Sequence, residues 1–152
     1  MIELALLNPD IPHNTGALMR FSACVGVKLH IIEPCGFILN DRNLQRVGMD
    51  YIDIASYQSH IDFDNFLDYV KSNSKRLILA TTKSSDDYLD ISYMAGDIIL
   101  MGSESKGAPN HVHKIVDQRV SIKMCHNARS LNLSMSAAII VSEALRQLKG
   151  MQ

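Results

Sequence analysis

The sequence predicts an α/β fold with a mainly parallel sheet flanked by helices. Short apolar runs of strand length alternate with stretches of helical spacing, and that alternation places strands side by side with helices as their crossovers. Clusters of Pro, Gly, Asn and Asp separate the runs, as turns require. The chain has 152 residues, enough for one sizeable core, and no repeat, low-complexity tract or long linker divides it. Residues 1–152 therefore read as a single domain.

The elements follow in order. Residues 2–7, IELALL, predict a buried strand. The turn 8-NPDIP-12 ends it, and residues 14–25 predict a helix. Asn14 or Thr15 is the expected cap and Gly26 the expected stop, since glycine adopts the left-handed conformation without strain. Residues 28–32, KLHII, predict a second strand. Residues 41–47 predict a short helix between Asp41 as cap and Gly48 as terminator. Phe63, Phe66, Leu67 and Val70 recur at helical spacing within residues 62–71. Residues 76–81, RLILAT, and 97–101, DIILM, predict strands. A short helix over 110–116, a short strand over 119–122 and a long helix over 132–149 complete the chain, with Ser130 or Asn132 capping the last. A doubly wound sheet binds its ligand beyond the carboxyl ends of its strands. The polar loops 8–15, 81–83 and 102–107 follow strands and belong at such a site.

Composition excludes several classes. An apolar fraction of 47% with 20% charged residues is ordinary for a soluble globular protein. No apolar run approaches the ~20 residues that span a bilayer, and the start, MIELALLNP, lacks a basic region before its apolar residues. The expectation is a cytoplasmic protein with no membrane partner. Three cysteines, Cys24, Cys35 and Cys125, are too few for a disulfide framework. Cys125-His126, His111 and His113 form no C-x-x-C or H-x-x-x-H pair, so no metal site is expected. A net charge of -1 makes no global electrostatic case for nucleic acid. A local basic patch remains open, from Arg20, Arg42, Arg46, Lys106, Lys123, Arg129 and Arg146.

Three segments carry more polarity than their elements need. In 8-NPDIPHNTGALMR-20 two prolines and a glycine stiffen the entry to a helix that carries Arg20. Alone, the segment also reads as a capped helix with a solvated arginine. In 102-GSESKGAP-109, Gly102 and Gly107 permit close backbone approach to a ligand, and Glu104 with Lys106 also reads as a solvated turn pair. Ala108-Pro109 stands where a phosphate loop needs Lys-Ser/Thr, and no G-x-G-x-x-G is present. In 126-HNARSLNLS-134 a helix cap needs one polar side chain, yet Asn127, Arg129, Ser130, Asn132 and Ser134 are offered. Burying them without partners costs ~1–3 kcal/mol each, so they face water, one another or a ligand.

Together and in this order, 14-NTGALMR-20, 102-GSESKGAP-109 and 129-RSLNLS-134 resemble the SPOUT class of RNA 2'-O-ribose methyltransferases. The stretches 29-LHIIEPCGF-37, 44-LQRVGMDY-51, 81-TTK-83 and 143-EALRQL-148 extend the resemblance over nearly the whole chain, and narrow it to the minimal branch that acts on the tRNA wobble nucleotide, C34 or U34. His13, Lys106, Ala108, Met135-Ser136 and Ser142 depart from that branch's usual residues.

The resemblance implies a C-terminal trefoil knot that binds S-adenosyl-L-methionine, although chains are ordinarily unknotted. It implies a tRNA substrate, no metal, and a homodimer whose active sites are shared between subunits. Ala80, Thr81, Gly102, Ile122, Met124 and Ser130 would line the cofactor pocket. Arg20, Asn14, Glu104, Ser130 and Asn132 would form the catalytic set, with Asn14 holding Arg20 or the ribose and Glu104 fixing the loops or pairing with the arginine. A guanidinium stays protonated in proteins, so Arg20 suits a phosphate grip better than proton removal. Lys106 and Arg129 would add RNA phosphate contacts. Other readings are 2'-O-methylation of a different tRNA or rRNA nucleotide, a non-catalytic RNA-binding module, and an FMN- or NAD-binding α/β protein. The last would need a phosphate cradle after the first strand, which 8-NPDIPHNTG-16 supplies poorly.

Overall fold

The computed structural model describes residues 1–39, 57–126 and 128–149. In chain order the elements are β1 (Glu3–Leu7), α1 (Pro12–Val25), β2 (Lys28–Ile32), β3 (Tyr57–His60), α2 (Phe63–Ser72), β4 (Leu77–Ala80), β5 (Ile98–Met101), α3 (Asn110–Ile115), β6 (Gln118–Val120) and α4 (Leu133–Lys149). The strands form one sheet in the order β3-β2-β1-β5-β4-β6, and every pairing is parallel. The α/β class is as expected. The short helix expected over 41–47 lies outside the described residues.

Alternation along the strands sends side chains to two separate cores. Leu4 and Leu6 join Leu29, Ile31, Ile78 and Ile99 on one face, against Leu18 and Met19 of α1 and Ala137, Ile140 and Val141 of α4. Ala5 and Leu7 join Ile32, Leu79, Ile98 and Leu100 on the other, against Phe66 and Val70 of α2 and Val112 of α3. Helices on both faces explain why the strand sequences are apolar runs rather than alternating ones.

Three local features differ from expectation. First, α1 begins at Pro12 rather than Asn14, after Ile11, with no side-chain cap. Proline at the first turn has its φ already set and has no N–H to satisfy, so the expected cap at Asn14 or Thr15 is not needed. Gly26 does end the helix, at φ 70°. Second, β3 has no counterpart in the sequence reading. Its residues, YQSH, are mostly polar because β3 is an edge strand: Gln58, Ser59 and His60 enter hydrogen bonds, and Tyr57 packs against the core. Third, β6 spans Gln118–Val120 rather than 119–122. Beyond it the chain changes partner. Thr81 N–H donates to Val120 O at 2.8 Å on one side, while Ser121 N–H donates to Asp86 O at 2.8 Å and Tyr88 N–H to Ser121 O at 2.9 Å. Residues 120–121 therefore run between two limbs of the 81–88 loop.

Candidate active site

A cavity of about 460 Å³ opens beyond the carboxyl ends of β4, β5 and β6, where the doubly wound rule puts a ligand. All six residues expected around a cofactor, Ala80, Thr81, Gly102, Ile122, Met124 and Ser130, line it. Asn14, Glu104, Lys106 and Asn132 line it too. Arg20 and Arg129 are exposed and lie outside the lining.

Three hydrogen bonds weld the three polar segments together. Glu104 Oε2 accepts from the Asp10 backbone N–H at 2.7 Å, and Oε1 accepts from Asn14 Nδ2 at 3.0 Å. Asn14 Oδ1 accepts from Asn132 Nδ2 at 3.0 Å. Asn132 Oδ1 in turn accepts from the Ser134 N–H at 2.8 Å, so the same side chain caps α4. The direction of every donor is set. An amide that accepts from a helix N–H must present its NH₂ to the next partner, and Asn14 must then present its own NH₂ to the carboxylate. Both ends of the Asn14 amide make bonds within the protein, to Glu104 and Asn132. Both Glu104 oxygens are likewise engaged, by Asn14 and the Asp10 amide.

Gly102 has a steric reason within the chain itself. A Cβ there would stand 2.4 Å from Ala108 N and 2.5 Å from Gly107 C. Gly107 N–H donates to Ser103 O at 2.9 Å, so the loop folds back onto Gly102. The close approach is by the chain's own backbone, and it shapes the cavity wall that Gly102 lines. Asp10 braces the same loop, accepting from the backbone N–H and hydroxyl of Ser105. Those two bonds hold the Asp10 carboxyl below its ordinary pKa. Burial, then the charges of Glu33 and Glu104, push the Cys35 thiol up to about 11.

Sequence reasoning named neither Thr82, Lys83, Leu133 and Ile140 nor His113 in the lining. Lys83 had a signal in the 81-TTK-83 stretch after β4. His113 had none, since only the fold turns α3 toward the cavity. Asn127 lies outside the described residues. On α4, Ala137 is fully buried in this chain's own core, whereas Ala138 is half-buried and Ser142 exposed. Among the described residues no group of three or more His, Cys, Asp or Glu could hold a metal ion.

Similarity to known proteins agrees with this geometry. A protein of Beijerinckia indica subsp. indica named tRNA (cytidine(34)-2'-O)-methyltransferase is 45% identical over 144 residues, 95% of this chain and 90% of that one. A structure described as giving structural insights into the 2-OH methylation of C/U34 on tRNA matches with a TM-score of 0.92 at 33% identity, over 99% of this chain and 97% of that one. An AdoMet-bound rRNA methyltransferase from Sinorhizobium meliloti shares the fold at a TM-score of 0.88 and 21% identity, over 97% of this chain and 56% of that one. Residues 1–142 match the SpoU rRNA Methylase family. With its parallel sheet and its welded polar loops at the strand ends, the chain belongs to that family.

Proposed function

We propose that the protein transfers a methyl group from S-adenosyl-L-methionine to the ribose 2'-oxygen of the wobble nucleotide, position 34, of a tRNA. The observation that carries the reading is the cavity, where all six expected cofactor residues meet the Glu104–Asn14–Asn132 chain. The family description names rRNA, but the 45% identical relative is named for tRNA cytidine 34 and is matched over nearly its whole length, which favours tRNA. The cofactor fits on structural grounds. About 460 Å³ lies within the ~300–1,000 Å³ range of small-molecule sites. Ile122, Met124, Leu133 and Ile140 offer apolar walls for a purine, and the backbone at Gly102 offers hydrogen bonds to polar edges. When bound, S-adenosyl-L-methionine supplies an already activated methyl group.

The chain's own residues then have positioning work, which is worth ~7–11 kcal/mol in favourable cases. Asn132 fixes the cofactor loop at the head of α4. Asn14 ties that loop to α1, and Glu104 anchors Asn14 to the loop after β5. Ser130, on the cavity wall, orders the same loop. Arg20 grips the phosphate beside the target ribose, orients the 2'-hydroxyl and stabilises charge developing on its oxygen. Lys106 and Arg129, both exposed, add phosphate contacts that contribute affinity.

Arg20 lies outside the cavity lining, which supports a homodimer in which each site takes its arginine from the other chain. Leu131 and Met135 are 40% and 57% exposed beside the small residues Ala138 and Ser142, a surface suited to a second copy. A C-terminal trefoil knot belongs to the same reading, supported by the pairing of residues 120–121 with Thr81 on one side and Asp86–Tyr88 on the other. A cytoplasmic setting belongs to the same reading; no described helix is long and apolar enough to cross a membrane.

Calorimetry on chelator-treated protein should show binding of S-adenosylmethionine or its demethylated product. No binding at millimolar ligand would refute the cofactor assignment. Mixing Arg20→Ala protein with Asn132→Ala protein should regenerate one good site per heterodimer. Exchange of subunits without recovered activity would refute the shared site.

A further inference from the structure

The largest polar cluster away from the cavity lies under α2, on the opposite flank of the sheet. His30 of β2 and His60 of β3 are 0% and 2% exposed, and their rings meet at His30 Nδ1 and His60 Nε2, 2.9 Å apart. The other nitrogen of His30, Nε2, lies 2.9 Å from Glu3 Oε2. Glu3 of β1 also accepts from Lys75 at 2.9 Å and from the Tyr69 hydroxyl at 3.1 Å. Lys28 of β2 donates to Tyr69 and to Gln58 of β3. From α2, Asn65 faces the His60 side chain, and Phe66 packs against both imidazoles. The groups facing the pair are thus Glu3 from β1, Lys28 from β2, Tyr69 and Asn65 from α2, and Lys75 beyond it.

The geometry limits the number of protons. Glu3, already holding Lys75 and Tyr69 as donors, accepts from His30 Nε2–H. If His30 is neutral, its Nδ1 accepts from His60 Nε2–H. If His30 is an imidazolium, its Nδ1–H donates and His60 Nε2 accepts. Either state satisfies both nitrogens of His30 and Nε2 of His60. A second proton would set two N–H groups head to head across 2.9 Å, in a site without water's dielectric, where two like charges repel strongly.

We propose that the His30–His60 pair is a proton-limited lock on the β3–α2 flank: in the folded protein at most one of the two rings is an imidazolium, and protonating the second ring as well releases β3 and α2 from the sheet. The lock reaches toward the site. Glu33 N–H donates to His60 O at 2.9 Å, and Gly36 N–H, three residues on, donates to Pro9 O beside Asp10. Burial and then the neighbouring His30 hold His60 below its ordinary pKa. For such a group the stabilising contribution is complete above the unfolded value, ~6.5, and is lost as pH falls below it. Glu3 acts in another window, since its carboxyl sits at about 2 in the folded protein.

Two measurements on the full chain test the lock. In an NMR titration with ¹⁵N-labelled histidine from pH 8 to 5, the folded spectrum should never show both rings as imidazolium. Both rings doubly protonated in an otherwise native spectrum would overturn the proposal. In denaturant unfolding, the folding constant should fall roughly sixfold or more from pH 6 to pH 5, because the unfolded chain takes up nearly two protons and the folded one at most one. His60→Gln keeps an amide for His30, and its loss over the same interval should be smaller by roughly eightfold, the uptake of one unfolded histidine. Equal losses in the two proteins would overturn the lock, whatever the variant's stability at neutral pH. If the variant does not fold, the wild-type titration decides alone.

Discussion

Two polar networks of similar size sit on the two flanks of this sheet, and they behave differently. Glu104, Asn14 and Asn132 line an open cavity and join three loops that are far apart in sequence. Glu3, His30 and His60 lie almost wholly sealed between strands and α2. The open network is built of amides and one carboxylate, whose donors point one way at any ordinary pH. The sealed one is built around imidazoles, whose donors reverse with one proton. A site that must hold geometry through catalysis is served by the first kind. The second kind ties stability to pH and has no access to substrate.

Each prediction tests that division, from the largest effect downward. Arg20→Ala should lower methyl transfer about a hundredfold or more, ~3 kcal/mol, while leaving cofactor affinity nearly unchanged. Wild-type turnover would make Arg20 a solvated helix residue. Asn132→Ala removes both the α4 cap and the Asn14 bond, at about 1 kcal/mol each. Cofactor affinity measured by calorimetry should fall on the order of tenfold or more, with a lower melting temperature. Asn14→Asp alone sets a carboxylate against Glu104 and should also cost activity about tenfold, or ~1–2 kcal/mol. Adding Glu104→Gln restores a donor, from residue 104 to residue 14, and should recover most of that activity. Failure of the double exchange to rescue would mean that the charge on Glu104 matters for chemistry rather than for position. Smallest in its effect on turnover is Glu3→Gln on the sealed flank. Turnover should be unchanged, while the acid limb of stability should flatten between pH 4.5 and about 2, the interval over which the lowered Glu3 pKa makes its contribution disappear as pH falls.

The open network was legible in the sequence because its members sit in loops, where side chains beyond the needs of capping are surplus. Asn132 was named as a cap, and it is one; its second bond, to Asn14, depends on where α1 packs. Pro12 took over the start of α1, which removed the need for an Asn14 cap and left that side chain for Glu104. Gly102 was singled out, but its neighbour is the chain's own backbone. The sealed network was invisible. His30 lies in KLHII, which reads as an apolar strand, and β3 was not recognised because an edge strand of YQSH carries no apolar pattern. Neither histidine makes sense until parallel pairing sets Ile31 against Ser59 and brings His30 and His60 onto one face. A partner's position is a property of the fold, and local sequence does not encode it.

The central claim is methylation of one ribose oxygen by this cavity. Unmodified tRNA incubated with the purified protein and methyl-labelled S-adenosyl-L-methionine, then digested and read by mass spectrometry, tests it most directly. The expected result is label on the 2'-oxygen of nucleotide 34, and on no other nucleotide, lost when Arg20→Ala replaces the wild type. Label on a base, label at a different nucleotide, or none from protein that binds the cofactor normally would contradict the account.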